Sequence, residues 1–170
     1  MRFMHDLSAV APSFVHIANS IVWCAAATVD RFGRPRSRIL HPLWEWDGAA
    51  LVGWVATSPT PVKIDNLKEH PYMSCSYWTE TQDTCTAECE AQVLYDNETR
   101  VEVWNKFKTA PPPVGYDPAV IPLWNAPSDD NFVVVRLDPW RLRVRPGTIT
   151  LQGTGEVLNW RREDLLAPIS

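Results

Sequence analysis

Two arginines, two hydroxyls and a lysine carry the clearest chemical signal in this sequence. Arg36 and Arg38 lie two residues apart in a strand-like run, so their side chains share a face. Thr57 and Ser58 open a loop that Pro59-Thr60-Pro61 keeps from continuing as a strand, and Lys63 begins the helical segment that follows. A strand arginine, loop hydroxyls and a lysine converging on a helix N-terminus would form a phosphate site, where free N–H groups, hydroxyls and cations act together. The competing reading is a solvated basic edge.

Other chemistries find less support. The sequence has no Gly-rich phosphate loop, no GxSxG elbow, no HExxH and no Rossmann glycine fingerprint. His5, His16, His41 and His70 have no Cys, Ser or carboxylate partners at suggestive spacing. His70, just before Pro71, reads as a helix C-terminal residue favoured by the dipole, and His41 should face away from Arg38 across the strand. Cys85-x3-Cys89 lacks a second ligand pair, so Cys24, Cys75, Cys85 and Cys89 read as reduced, buried thiols and no metal site is expected. Glu80, Asp83, Glu88 and Glu90 read as a wet edge and not as an acid–base pair. No catalytic residue is assigned.

The elements that must position these groups follow from length, composition and pattern. The 170 residues amount to one domain, and 45% hydrophobic with 21% charged residues is globular composition. A net charge of −4 argues against a nucleic-acid or anionic-membrane binder. No apolar run approaches the ~18–20 residues a bilayer requires. No leader pattern opens the sequence, so a cytoplasmic protein is expected. Residues 1–19 have near-helical spacing interrupted by Pro12, and Ile21–Val29 is an apolar strand run ended by Asp30-Arg31-Phe32-Gly33. Arg36–Trp46 and Ala49–Ala56 form a hairpin around Asp47-Gly48. Val62–Glu69 is a short helix; Tyr72–Thr79 and Asp83–Tyr95 are antiparallel strands; Asn97–Lys108 is helical. Ala110–Asp130 is a proline-rich excursion over the surface or a partner. Phe132–Leu137 and Trp140–Val144 are strands broken by Asp138-Pro139, with one further short strand at Thr148–Gln152 and a surface tail or last helix around Trp160–Glu163. Arg141, Arg143 and Arg145 alternate with apolar residues, as in a strand with one wet face. Six to seven hairpin-linked strands with short helices point to a mainly β, α+β class: an antiparallel barrel with peripheral helices.

The ordered set Thr28-Val29-Asp30-x2-Gly33-x-Pro35-Arg36-Ser37-Arg38-Ile39-Leu40, Trp54-x2-Thr57-Ser58 and Lys63-x2-Asn66-Leu67-x3-Pro71-Tyr72-Met73-Ser74 resembles the pyridoxamine 5′-phosphate oxidase-like, FMN-binding split-barrel family. The resemblance covers about residues 20–145 of a single split β-barrel domain, with a helical N-terminal segment (1–19) and a C-terminal tail (146–170). It implies that Arg38 contacts the flavin phosphate or ribityl chain and that Ile39 and Leu40 run beside the ring. It also implies that Thr57 and Ser58 contact the flavin and Lys63 binds its phosphate. Glu88, Glu90 and Gln92 would pass near the cofactor. The family implies a homodimer with FMN at the interface, which would use Trp104, Trp124 and Trp140 among the nine tryptophans.

The chain departs from the vitamin B6 enzyme of that family. Val62 replaces a second basic residue beside the helix lysine, and no Arg-x-His pair occurs near the C-terminus. Pyridoxamine phosphate oxidase activity itself is therefore not implied. The resemblance implies two-electron redox on a small-molecule substrate, with FMN or, on the same fold, coenzyme F420. A non-catalytic flavin or tetrapyrrole binder is the first rival. The second is an oligonucleotide-binding type barrel using Arg141, Arg143 and Arg145, against which the net charge weighs.

Overall fold

The computed structural model describes residues 4–162. Its elements are α1 (Leu7–Ile21), β1 (Cys24–Val29), β2 (Pro35–Leu40), β3 (Pro42–Trp46), β4 (Leu51–Thr57), α2 (Pro61–Glu69), β5 (Tyr72–Trp78), β6 (Thr84–Leu94), α3 (Asn97–Thr109), β7 (Val133–Arg145), α4 (Gly147–Gln152) and β8 (Leu158–Arg161). A single turn of 3-10 helix, Pro118–Val120, lies in the proline-rich stretch. No helix among the described residues is long and apolar enough to cross a membrane.

All strand pairings are antiparallel, in the order β2-β1-β5-β6-β7-β4-β3, with β8 added beside β7. The two ends of that path, β2 and β3, are neighbours in sequence separated by His41 alone. One residue spans only about 3.5 Å, so the sheet must curl until its edges meet. No ladder joins β2 to β3 in that path, and the result is a split antiparallel β-barrel with short helices.

Five expectations need correction. The run Arg36–Trp46 divides at His41, because Pro42 has no N–H with which to continue a ladder. β7 passes through Asp138-Pro139 unbroken: Glu88 pairs with Arg141 and Cys89 with Pro139, so a bulge absorbs Trp140 and leaves the proline no ladder bond to lose. Thr148–Gln152 is helical (α4) and not a strand, and Leu158–Arg161 is a strand where a tail or helix was expected. Glu163 and the rest of the expected tail lie outside the described residues. α1 runs through Pro12, which faces solvent, as does Ser8, the residue whose carbonyl goes unbonded.

Two apolar clusters sit on either side of the curled sheet. Inside it, Val10, Ala11, Phe14 and Ala18 of α1 pack among Trp44, Val55, Met73, Cys75, Cys89, Leu137 and Leu142. All four cysteines are free and buried. Outside it, Val103, Trp104 and Phe107 of α3 pack with Leu43, Trp54, Trp124 and Phe132. Trp44 ties the inner cluster together: its Nε1 donates to the Tyr77 hydroxyl at 2.8 Å, and Phe14 meets its face edge-on at 4.9 Å.

Across the β3–β4 pair Trp44 lies opposite Gly53, where a Cβ would sit 2.7 Å from the indole. That ring is pinned by Tyr77 and Phe14 and cannot yield. Gly53→Ala should therefore cost about 1–3 kcal/mol by overpacking, read as a lower midpoint in urea unfolding. An unchanged midpoint would show that the ring has room to move.

Candidate functional site

The end of β2, the end of β4, the start of α2 and the proline-rich segment converge on a cavity of about 750 Å³. That is within the usual range for a small-molecule or cofactor site. Ile39, Leu40, Thr57, Ser58 and Lys63 line it, and so do His41, Trp23, Tyr116 and Trp124. The turn that carries Trp23 to the mouth is strained. Val22 has φ +74° and ψ −59°, with Trp23 N–H donating to the Ile21 carbonyl at 2.9 Å. This is a γ-turn in a conformation that β-branched residues rarely adopt.

Lys63 is the charged wall. Only 4% of it is exposed, and its ammonium donates to Thr57 Oγ1 at 2.6 Å and to the Ser58 carbonyl at 2.7 Å. Burial, and then the positive charge of Arg38, bring its pKa down to about 8. Arg38 stands beside it and is not part of the cavity wall. Its Nη2 donates to Thr28 Oγ1 at 2.9 Å, a hydroxyl that also accepts from Asn66 Nδ2 at 3.0 Å, while Nη1 is buried without a partner. Burial lowers its pKa as well. Among the described residues neither cation has a carboxylate within ion-pair distance. A buried ammonium beside a half-buried guanidinium, without a counter-ion, is unfavourable unless an anion joins them. α2, capped at Thr60 with Pro61 at its first turn, begins beside them.

The remaining candidates go elsewhere. Arg36 turns to Asp30, 3.5 Å away. Glu88 pairs with Arg141 at 3.1 Å and Glu90 with Arg162 at 2.6 Å, and neither they nor Gln92 line the cavity. The Ser58 hydroxyl accepts from Trp124 Nε1 at 3.0 Å. Trp104 and Trp124 both pack against Phe132 and so belong to this chain's own core rather than waiting for a partner. His70 caps the C-terminus of α2 as expected.

Sequence reasoning missed the aromatic walls. His41 sits between Trp23, Phe107 and Tyr116, with ring centroids at 5.0, 5.5 and 5.1 Å. The signal available was Tyr116 and Trp124 inside a proline-rich stretch, where exposed aromatics would have no other use.

No family model matches the sequence, and no curated protein matches it. Solved structures do. A protein from Clostridium acetobutylicum related to general stress protein 26 of B. subtilis, of the pyridoxinephosphate oxidase family, superposes with a TM-score of 0.69 at 12% identity, covering 95% of this chain and 99% of that one. The chain has the pyridoxamine 5′-phosphate oxidase-like fold. General stress protein 26 from Bacillus anthracis gives a TM-score of 0.62 at 19% identity over 86% of this chain and 95% of that one. A pyridoxamine 5′-phosphate oxidase-related, FMN binding protein from Nostoc punctiforme gives 0.60 at 15% over 85% and 87%. The cavity of this pyridoxamine 5′-phosphate oxidase-like fold is thus built where its barrel edges meet.

The Lys63 pKa has a consequence for anion binding. A bound phosphate stabilises the ammonium, so between about pH 8 and the ordinary lysine value of 10.5 binding must take up a proton. Affinity for inorganic phosphate should fall above about pH 8, by up to about tenfold per pH unit. Calorimetric titrations across that window test this. A level profile throughout, or the same fall in Lys63→Met, would remove Lys63 from the anion site.

Proposed function

We propose that this protein is an FMN-binding oxidoreductase of the pyridoxamine 5′-phosphate oxidase-like family, acting on a small-molecule substrate as a homodimer with the cofactor at the interface. The observation that carries this reading is the buried Lys63 beside the half-buried Arg38, without a counter-charge, at one side of an aromatic-walled cavity. A phosphate monoester brings two negative charges, which the two cations match. This favours FMN over coenzyme F420, whose phosphate is a singly charged diester.

The residues present fit the group. Lys63 would hold the phosphate, with the Arg38 guanidinium adding positive charge from behind the cavity wall. Thr57 and Ser58, already bonded to Lys63 and Trp124, keep the loop in place for the neighbouring ribityl chain. Leu40, Trp23 and Tyr116 give a planar ring apolar walls that exclude water. Bound FMN supplies a ring that accepts and returns a hydride. Ile39 and Trp23, 65% and 59% exposed at the mouth of the cavity, are the surface a second subunit would cover.

Titration of the purified protein with FMN should give saturable binding, with riboflavin much weaker. Arg38→Ala with Lys63→Ala should weaken FMN by at least the ~1.5–3 kcal/mol of one charged hydrogen bond, and leave riboflavin unchanged. An unchanged FMN affinity sinks the assignment, and saturable binding of F420 alone moves it to the deazaflavin. Sedimentation equilibrium should show a dimer that Ile39→Glu dissociates; a monomeric wild type would refute the interface.

A further inference from the structure

Between α1 and β1, consecutive residues serve three environments. Val22 is buried in the outer cluster, Trp23 stands at the cavity mouth, and Cys24 is buried in the inner cluster. A strand offers only two faces, so the chain must reverse here. It does so in the γ-turn at Val22, whose N–H donates to the Ala18 carbonyl at 2.8 Å while Trp23 N–H donates to the Ile21 carbonyl. Among the described residues the other non-glycine with a positive φ is Gln82, in the turn between β5 and β6. Val22 is the β-branched and buried one of the two.

Both results are unfavourable for the fold by itself. A β-branched residue is held at φ +74°, and a tryptophan is left 59% exposed. Glycine would make the same turn without strain but would not hold it, because the buried isopropyl group is what ties the turn to the outer cluster. Held in this way, the indole lies 5.0 Å from the His41 ring and lines the cavity together with Leu40 and Tyr116. Aromatic surface kept in water at the mouth of a cavity is surface that a planar ligand can cover.

Resting on the FMN reading above, we propose that Trp23 is a specificity-determining residue that stacks on the flavin ring, and that Val22 is the positioning residue that holds it there. Recognition is then divided: Lys63 selects the phosphate and Trp23 selects the planar ring.

Titrations with FMN and with inorganic phosphate separate the two. Trp23→Ala should weaken FMN about fivefold or more and leave phosphate unchanged, and Trp23→Phe should restore most of the loss. Val22→Gly keeps the indole but frees the turn, so FMN affinity should again fall. Contact with an indole quenches flavin fluorescence, so the emission of bound FMN should rise in both Trp23→Ala and Val22→Gly. A Trp23→Ala protein that loses affinity for phosphate by the same factor as for FMN overturns the stacking, since that marks general damage to the site. A loss that appears only with dissociation of the dimer in sedimentation overturns it too, by placing Trp23 in the subunit interface alone. Wild-type affinity and emission in Val22→Gly remove Val22 as the positioning residue. If Val22→Gly fails to fold by circular dichroism, Val22→Ala is read by the same criteria. A wild-type protein that does not bind FMN fails at the cofactor reading and takes this assignment with it, whereas FMN binding indifferent to Trp23→Ala overturns the stacking alone.

Discussion

One residue, His41, separates the two strands that stand at opposite ends of the hydrogen-bonded sheet. Everything else follows from that short connection. Because β2 and β3 cannot lie far apart, the strands between them must wrap, and their inward faces enclose a volume that α1 fills with Val10, Phe14 and Ala18. Pro42 prevents β2 and β3 from merging into one strand, so the corner is a break in the ladder and not a bend in it. A break in a barrel exposes backbone and side chains that a closed ladder would hide. The cavity forms at that break.

At the cavity two opposing demands meet. Lys63 is buried beside the half-buried Arg38 without an acidic neighbour, which by itself is unfavourable. They are held there by neutral acceptors: Thr57 and the Ser58 carbonyl for Lys63, and Thr28 for Arg38. Thr28 is in turn fixed by Asn66 of α2, so α2 enters both hydrogen-bond networks, through Lys63 in one and Asn66 in the other. Such a network tolerates the charges without neutralising them. The preorganised positive potential that results is what an anionic ligand would find on arrival.

The proline-rich segment closes the other side. Arg100 of α3 donates to the Asp129 carbonyl, Asp129 accepts from Asn125, and Trp124 reaches across to Ser58. The prolines break the segment into successive turns and the aromatics give it something to bury, so a stretch with a single turn of 3-10 helix becomes a wall with Tyr116 and Trp124 lining the cavity. The same packing explains why tryptophans are numerous: Trp44, Trp54, Trp104 and Trp124 each sit in one of the two cores.

Local patterns alone settled most of the secondary structure. Alternation in Tyr72–Trp78 placed Met73, Cys75 and Tyr77 on the buried face, Asp47-Gly48 marked the β3–β4 hairpin, and Pro71 ended α2 after its His70 cap. The order of Arg38, Thr57, Ser58 and Lys63 along the chain was equally legible, since strand, loop and helix start are local features. Where local pattern misled, a partner strand decided. Pro139 is tolerated because β7 bulges at Trp140 against β6, and Leu158–Arg161 is a strand only because β7 offers an edge there. Tertiary structure also sent Arg36 to Asp30, kept Arg38 behind the cavity wall, and gathered Trp23, His41, Tyr116 and Trp124 from three separate stretches around one space. Spacing along a chain reports which face of an element a residue occupies. It contains no record of which other elements will close over that face, because that is fixed by long-range pairing and packing.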